Sequence, residues 1–152
     1  MNKIDTQLLI YLMQNGRSTW SELAESFSMS APGVADKVRR LEERGTIQGY
    51  AAQVNPTHVG IGLMAFVNVT LDQPSDRSAF LEMVQQTPHI QGCYHVAGAY
   101  DYLLLIRCRN TAVLETLLTD HIKALPGTVH TNTTIVLSTV KETAILPIEN
   151  GK

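Results

Sequence analysis

Apolar positions along the chain change their period once. In the first fifty residues they recur every three or four: Ile4, Leu8 and Leu12, then Trp20, Leu23, Ala24 and Phe27, then Val34, Val38 and Leu41. That spacing predicts three short helices, each with one buried stripe. Asn15-Gly16 ends the first. Thr19-Trp20-Ser21-Glu22 has the form of a capping box, an N-cap threonine with glutamate three positions on. Ser28-Met29-Ser30 makes a tight connection, and Ser30 is placed to cap the third helix. Pro32 is tolerated in a first turn, where its missing N–H costs nothing, and Gly45 ends that helix. Three helices with a three-residue turn between the last two form a helix-turn-helix pattern. Ile47-Gln48-Gly49-Tyr50 predicts a small β-wing. Residues 1–50 thus read as one unit, and 51–62, with Asn55-Pro56 and two glycines, as a linker.

From Leu63 the period becomes two. Leu63, Ala65, Val67, Val69 and Leu71 alternate with Asn68 and Thr70, a strand. Ser75 is placed to cap a helix through Gln86 that turns Phe80, Leu81 and Val84 inward. Ile90 to Ala97 and Tyr102 to Cys108 predict a hairpin across Gly98-Ala99-Tyr100-Asp101. Asn110 or Thr111 opens a helix carrying Val113, Leu114, Leu117, Leu118 and Ile122, which stops at Pro126-Gly127. Thr131 to Val140 is a final β-branched strand. The order βαββαβ, over residues 63–152, is the ferredoxin-like arrangement, so the fold class is α+β. Right-handed crossovers put both helices on one face of the sheet. Met64, Phe66 and the run Leu103-Leu104-Leu105-Ile106 place apolar residues on the other face as well, which predicts a dimer packed sheet to sheet.

Composition narrows the function classes. An apolar content of 44% with 17% charged residues belongs to a core-forming globular chain. The net charge of −2 gives no global attraction to nucleic acid or membrane, so any such binding comes from a local patch. No apolar run is long enough to span a bilayer, and the N-terminus lacks the uninterrupted apolar core of a signal peptide. Cys93 and Cys108 form no CxxC motif and sit within apolar runs, which predicts buried thiols in a reduced, cytoplasmic protein.

The third helix supplies the local patch. Ala31, Gly33 and Ala35 permit a backbone to approach base edges in a major groove, and alanine methyls can touch those of thymine. Lys37, Arg39, Arg40 and Arg44 follow within eight residues, placed to meet phosphates, while Asp36, Glu42 and Glu43 offset three of the four. The alternative is a solvated charged helix in a protein-contact module. Such a module would want aromatic or aliphatic anchors on the helix's outer face, and the helix itself offers none.

The loop in VAGAYDYLLLI has two readings also. In one, Gly98 supplies positive φ and Asp101 bonds neighbouring amides in a turn. In the other, loop N–H groups receive a carboxylate and Asp101 or free carbonyls take an ammonium, so an α-amino acid is the natural ligand.

Four stretches, IDTQLLIYLMQNGRSTWSELAESFSMS, VADKVRRLEERGTIQGYAAQVNP, GAYDYLLLIR and LPGTVHTNTTIVLSTVKET, resemble the Lrp/AsnC (feast/famine) regulators in order and spacing. The resemblance covers nearly the whole chain. It implies a winged helix-turn-helix domain that binds double-stranded DNA, followed by a ferredoxin-like (RAM-type) domain that oligomerises and senses a small effector, often an amino acid. By position, it makes Ser30, Ala31, Pro32, Gly33, Ala35, Lys37, Arg39, Arg40 and Arg44 the DNA-contacting set. Ile47 to Val54 becomes a strand pairing with a partner's copy. Gly98, Ala99, Tyr100, Asp101, Leu104, Thr133, Thr134 and Ile135 become the effector site, lying between neighbouring dimers. Many members carry an acidic residue where this chain has Ala99. The implied assembly is a homodimer that builds further, commonly to an octamer, with no cofactor, metal or membrane.

Two other classes remain. Siroheme decarboxylases share this two-domain outline, and fold alone does not exclude catalysis. They use basic and histidine side chains, whereas His58, His89, His95, His121 and His130 are scattered here without paired spacing, and no nucleophile triad, phosphate loop or zinc motif stands out. The other alternative is an amino-acid-sensing oligomer without DNA binding, since the first 52 residues carry six basic and six acidic side chains.

Overall fold

The structure is a computed structural model that describes residues 2–149. The chain divides into two compact units, Met1–Gln53 with Val140–Lys152, and Val54–Thr139.

The first unit holds α1 (Lys3–Gln14), α2 (Trp20–Ser26) and α3 (Ala31–Glu43). Each starts on a side chain that satisfies an orphan N–H of its first turn. Asn2 Oδ1 accepts from Asp5 N–H at 2.9 Å, and Ser30 Oγ from Gly33 N–H at 3.2 Å. At α2 the capping box is closed: Thr19 Oγ1 accepts from Glu22 N–H at 3.3 Å, and Glu22 Oε2 accepts from Thr19 N–H at 2.7 Å. Those bonds to Thr19 hold the Glu22 carboxyl below its usual range. Helix α3 ends in a Schellman motif, with Thr46 N–H on Leu41 O (2.9 Å), Gly45 N–H on Glu42 O (2.8 Å) and Gly45 at φ 68°. Leu8, Leu12, Leu23, Val34 and Val38 form one core. Two expected core residues lie outside it: Ile4 and Trp20 are 42% and 48% exposed, while Leu9 and Thr6 take inward places. Residues 47–55 carry no strand in the single chain, so the expected wing is irregular backbone here.

The second unit is built on β1 (Leu63–Leu71), β2 (Ile90–His95), β3 (Tyr102–Cys108) and β4 (Thr128–Ile135), in sheet order β2-β3-β1-β4 with every pair antiparallel. Between strands run α4 (Arg77–Gln86) and α5 (Thr111–Thr116), the latter continued by a π-helical stretch, Leu117–Lys123. Asn110 caps α5, accepting from Val113 N–H at 3.0 Å. At α4 the expected cap is displaced. A 3-10 turn, Pro74–Asp76, precedes the helix, so Asp76 rather than Ser75 stands at its start. Ala65, Val67 and Val69 of β1 and Tyr102, Leu104, Ile106 and Cys108 of β3 point into the core with Phe80, Leu114, Leu117 and Ile122. The alternate residues lie on the opposite face, where Phe66 pairs with Leu105, Met64 with Arg107 and Asn68 with Leu103. Cys108 is buried and Cys93 half-buried, and burial pushes both thiols up.

Candidate nucleic-acid interface and effector loop

On α3, Val34, Val38 and Leu41 turn inward, and the rest follows from 3.6 residues per turn. Pro32, Arg39, Arg40 and Glu43 are exposed, whereas Ala31, Gly33, Ala35, Asp36 and Lys37 are half-buried. The four expected cations divide accordingly. Lys37 Nζ lies 3.3 Å from Asp5 Oδ1 and ties α3 to α1. Arg39 and Arg40, 65% and 63% exposed, both pair with Asp36, Arg40 at 2.8 Å, and Arg39 also lies 3.7 Å from Glu43. Arg44 is the C-cap of α3 and is exposed.

Gly33 has an internal reason to be small. A Cβ there would come within 2.9 Å of Ser30 Oγ and 3.6 Å of Met29 Cε, so it would dislodge the cap of α3. The residue that sequence reasoning missed is Trp20. It sat in a helical stripe and was assigned to the core, but it lines a hollow of about 340 Å³ with Pro32, Ala35, Asp36, Arg39 and Glu42. The outer side of α3 therefore does have an aromatic neighbour, supplied by α2. At the far end of α3 the Tyr50 hydroxyl donates to Glu42 Oε1 at 3.0 Å, and desolvation with that acidic partner pushes the phenol up to about 12.

In the second unit, the loop Gly98–Asp101 is tied to β1. Asp101 N–H donates to Val69 O (3.0 Å), its carbonyl accepts from Val96 N–H (2.9 Å), and Oδ2 accepts from Leu71 N–H (2.9 Å). The carboxylate, expected to bond neighbouring amides of the turn, instead accepts from β1, and one of its oxygens is committed there. Gly98 has φ 159°, near the extended range. Tyr100 stacks on His130, ring centroids 6.0 Å apart and 10° from parallel.

The remaining expected effector residues do not gather at this loop within one chain. Leu104 is fully buried in the core. Thr133 and Ile135 pair with Val67 and Ala65, farther along β1 than the loop's anchor at Val69, and border a separate groove of about 490 Å³ with Thr111, Glu115 and Lys123. Thr134 pairs with Phe66 and belongs to the opposite face. Instead the loop's neighbour His130 lines a hollow of about 290 Å³ with Lys123, Thr128 and Thr131. Nothing in the sequence marked these residues, because their proximity depends on the β1–β4 register.

Known proteins place the whole. A family model described as Lrp/AsnC ligand binding domain matches residues 64–146, and one described as winged helix-turn-helix DNA-binding matches residues 1–48. The chain is 43% identical over 142 residues to the HTH-type transcriptional regulator LrpA of Mycobacterium tuberculosis, covering 91% of each. It is 35% identical to the leucine-responsive regulatory protein of Escherichia coli, covering 98% of this chain and 92% of that one. Among solved structures, a transcriptional regulator of Neisseria meningitidis in complex with L-methionine superposes with a TM-score of 0.92 at 29% identity, over 97% of this chain and 96% of that one. A feast or famine regulatory protein of M. tuberculosis complexed with L-methionine gives 0.82 at 36% identity, over 91% and 94%. A helix-turn-helix unit joined to a ligand-binding βαββαβ unit, matched along nearly its full length, makes this chain a member of the Lrp/AsnC family and a DNA-binding transcriptional regulator of that type.

Proposed function

We propose that the regulator binds DNA as a dimer through the exposed face of α3 and is modulated by an amino acid at the Gly98–Asp101 loop. The observation that carries the DNA half is the placement of Arg39 and Arg40. Both guanidiniums lie on the outer face of a capped helix, held there by Asp36. Two copies of α3 would address half-sites about one helical turn apart, and residues 47–54 would pair with the partner's copy. Lys37, committed to Asp5, contributes least to phosphate binding in this reading. The chemistry is binding rather than catalysis, and the site of action is the cytoplasm. No described helix is long and apolar enough to cross a membrane.

The effector half is supported by the match to a ligand-binding family model spanning the loop and by the methionine bound to two structural neighbours. An effector shifts DNA binding only by the difference in its affinity for the two states. Because the dimers' neighbours complete the pocket in this reading, Thr133, Thr134 and Ile135 act from another chain.

Duplex binding measured against salt, with and without L-methionine, tests both halves. Arg40→Ala should weaken binding and lower the salt slope by about 0.9 for each copy engaged. An unchanged slope would show that Arg40 meets no phosphate. Asp101→Asn keeps an acceptor for Leu71 N–H and removes the charge, so fold and DNA binding should persist while the methionine response disappears. A variant that responds as the wild type does removes Asp101 from the effector site.

A further inference from the structure

Trp20 is the chain's single tryptophan, yet about half of it faces solvent. An indole is among the costliest side chains to leave in water, and this one borders a hollow beside α3. The indole, the prolyl ring of Pro32 and the methyl of Ala35 supply the apolar part of its lining. The rim carries Asp36, Glu42 and Arg39, and Arg39 is already paired with Asp36 and Glu43. Of these charged residues Arg39 alone can meet a phosphate, which leaves Trp20, Pro32 and Ala35 for an apolar contact. The hollow is continuous with the exposed face of α3 through Pro32 and Arg39. What a major groove offers an apolar lining beside a recognition helix is the 5-methyl group of thymine.

We propose that Trp20 is a specificity-determining contact that receives thymine methyls at the wall of the groove entered by α3. The proposal rests on the reading of α3 as the DNA-contacting helix. It assigns a role to α2 that is independent of charge, so its loss alters affinity and base preference without altering salt dependence.

The test uses the full chain and the duplex lying immediately upstream of its own gene, with a random-sequence duplex as competitor. Because no other tryptophan contributes, the protein's own fluorescence reports this one position. Saturating duplex, judged by gel shift, should quench the emission and move it to the blue. Trp20→Ala should weaken binding about tenfold with the salt slope unchanged, and Trp20→Phe should recover most of the loss. Replacing thymine by deoxyuridine throughout the duplex removes only the methyl groups, and should weaken the wild type while leaving Trp20→Ala nearly indifferent. Circular dichroism of both variants checks that the half-exposed site leaves the fold intact. Unchanged emission at saturation overturns the proposal. So does an equal deoxyuridine penalty in wild type and Trp20→Ala, which would assign the methyl contact to Ala35. If the wild type fails to shift either duplex at low ionic strength, the reading of α3 itself falls, a result distinct from a wild type that binds and a Trp20→Ala that binds equally.

Discussion

Asp36 governs the electrostatics of the outer face of α3. It sits one turn before Arg40 and three residues before Arg39, and accepts from both. Intrahelical pairs of this kind contribute only a few tenths of a kcal/mol at an exposed surface. Their effect on binding is larger than on folding, because a phosphate has to compete with a carboxylate that is always present. Asp36→Asn removes that competitor and, by deleting one negative charge, raises the net charge by one per chain. Affinity for a random-sequence duplex should rise several-fold at low salt, with a steeper salt slope, in a filter-binding or anisotropy titration. An unaltered affinity would mean that the arginines reach phosphate without leaving Asp36. Residue-level chemistry of this kind was partly legible in the sequence. The offsetting of the cations by Asp36 followed from spacing, and so did the caps at Thr19, Ser30 and Asn110, though not the one expected at Ser75. Gly33 and Trp20 did not, for one reason. Smallness and apolarity state what a residue tolerates, and only its neighbours show whether Ser30 Oγ or solvent occupies the space.

Among the elements, the turn between α2 and α3 is the most constrained. Ser28 adopts φ 50°, and Met29 N–H reaches back to Ala24 O at 2.9 Å. A left-handed residue with a Cβ costs roughly 1 kcal/mol that glycine does not. Ser28→Gly should therefore raise the stability of the helix-turn-helix unit by about 0.5–1 kcal/mol, read from urea unfolding followed by circular dichroism. A destabilised variant would show that the serine side chain holds the turn. The five helices and the four strands of the second unit were legible, because each periodic stretch is long enough to declare its type, whereas the short stretch Ile47–Tyr50, expected as a wing, forms no strand. Boundaries were less so, and β4 shows why. Its β-branched composition continues to Val140, but the strand ends at Ile135, opposite Ala65, with one further bond from Val136 N–H to Met64 O at 2.9 Å. It also begins three residues earlier than expected, at Thr128, since a shift between Thr70 and Leu71 extends the ladder there. A strand's ends are set by its partner, which its own residues do not encode. The same register places His130 against Tyr100 and keeps Thr133 to Ile135 away from the loop, so the effector site was the least legible part of the chain.

For the molecule as a whole, the decisive surface is the sheet face opposite α4 and α5. Met64, Phe66, Leu103 and Leu105 line it across the central pair β1–β3, half-buried rather than covered. The Tyr94 ring lies over Gly92 beside them, where a Cβ would approach its hydroxyl to 2.9 Å, so β2 extends the apolar surface with a flat ring. Neither helix of the unit packs on this side, and an apolar patch of that kind is costly to leave in water. A second copy has the same patch, and two-fold pairing would bury both at once. Dimerisation also supplies what one α3 lacks. With six acidic groups balancing six basic ones in the first 52 residues, a single copy would offer DNA little net charge, and two linked copies would gain affinity through effective concentration. Leu105→Arg places a charge in the centre of the face while leaving the helix-side core untouched. The variant should sediment as a monomer where the wild type is a dimer or larger, and its affinity for a two-half-site duplex should fall about 10²-fold or more. Its affinity for a duplex with one half-site should change little. A wild type that is monomeric at high concentration, or a variant that keeps the wild-type assembly, would remove this face from the interface and force the pairing of α3 helices to be explained by another surface.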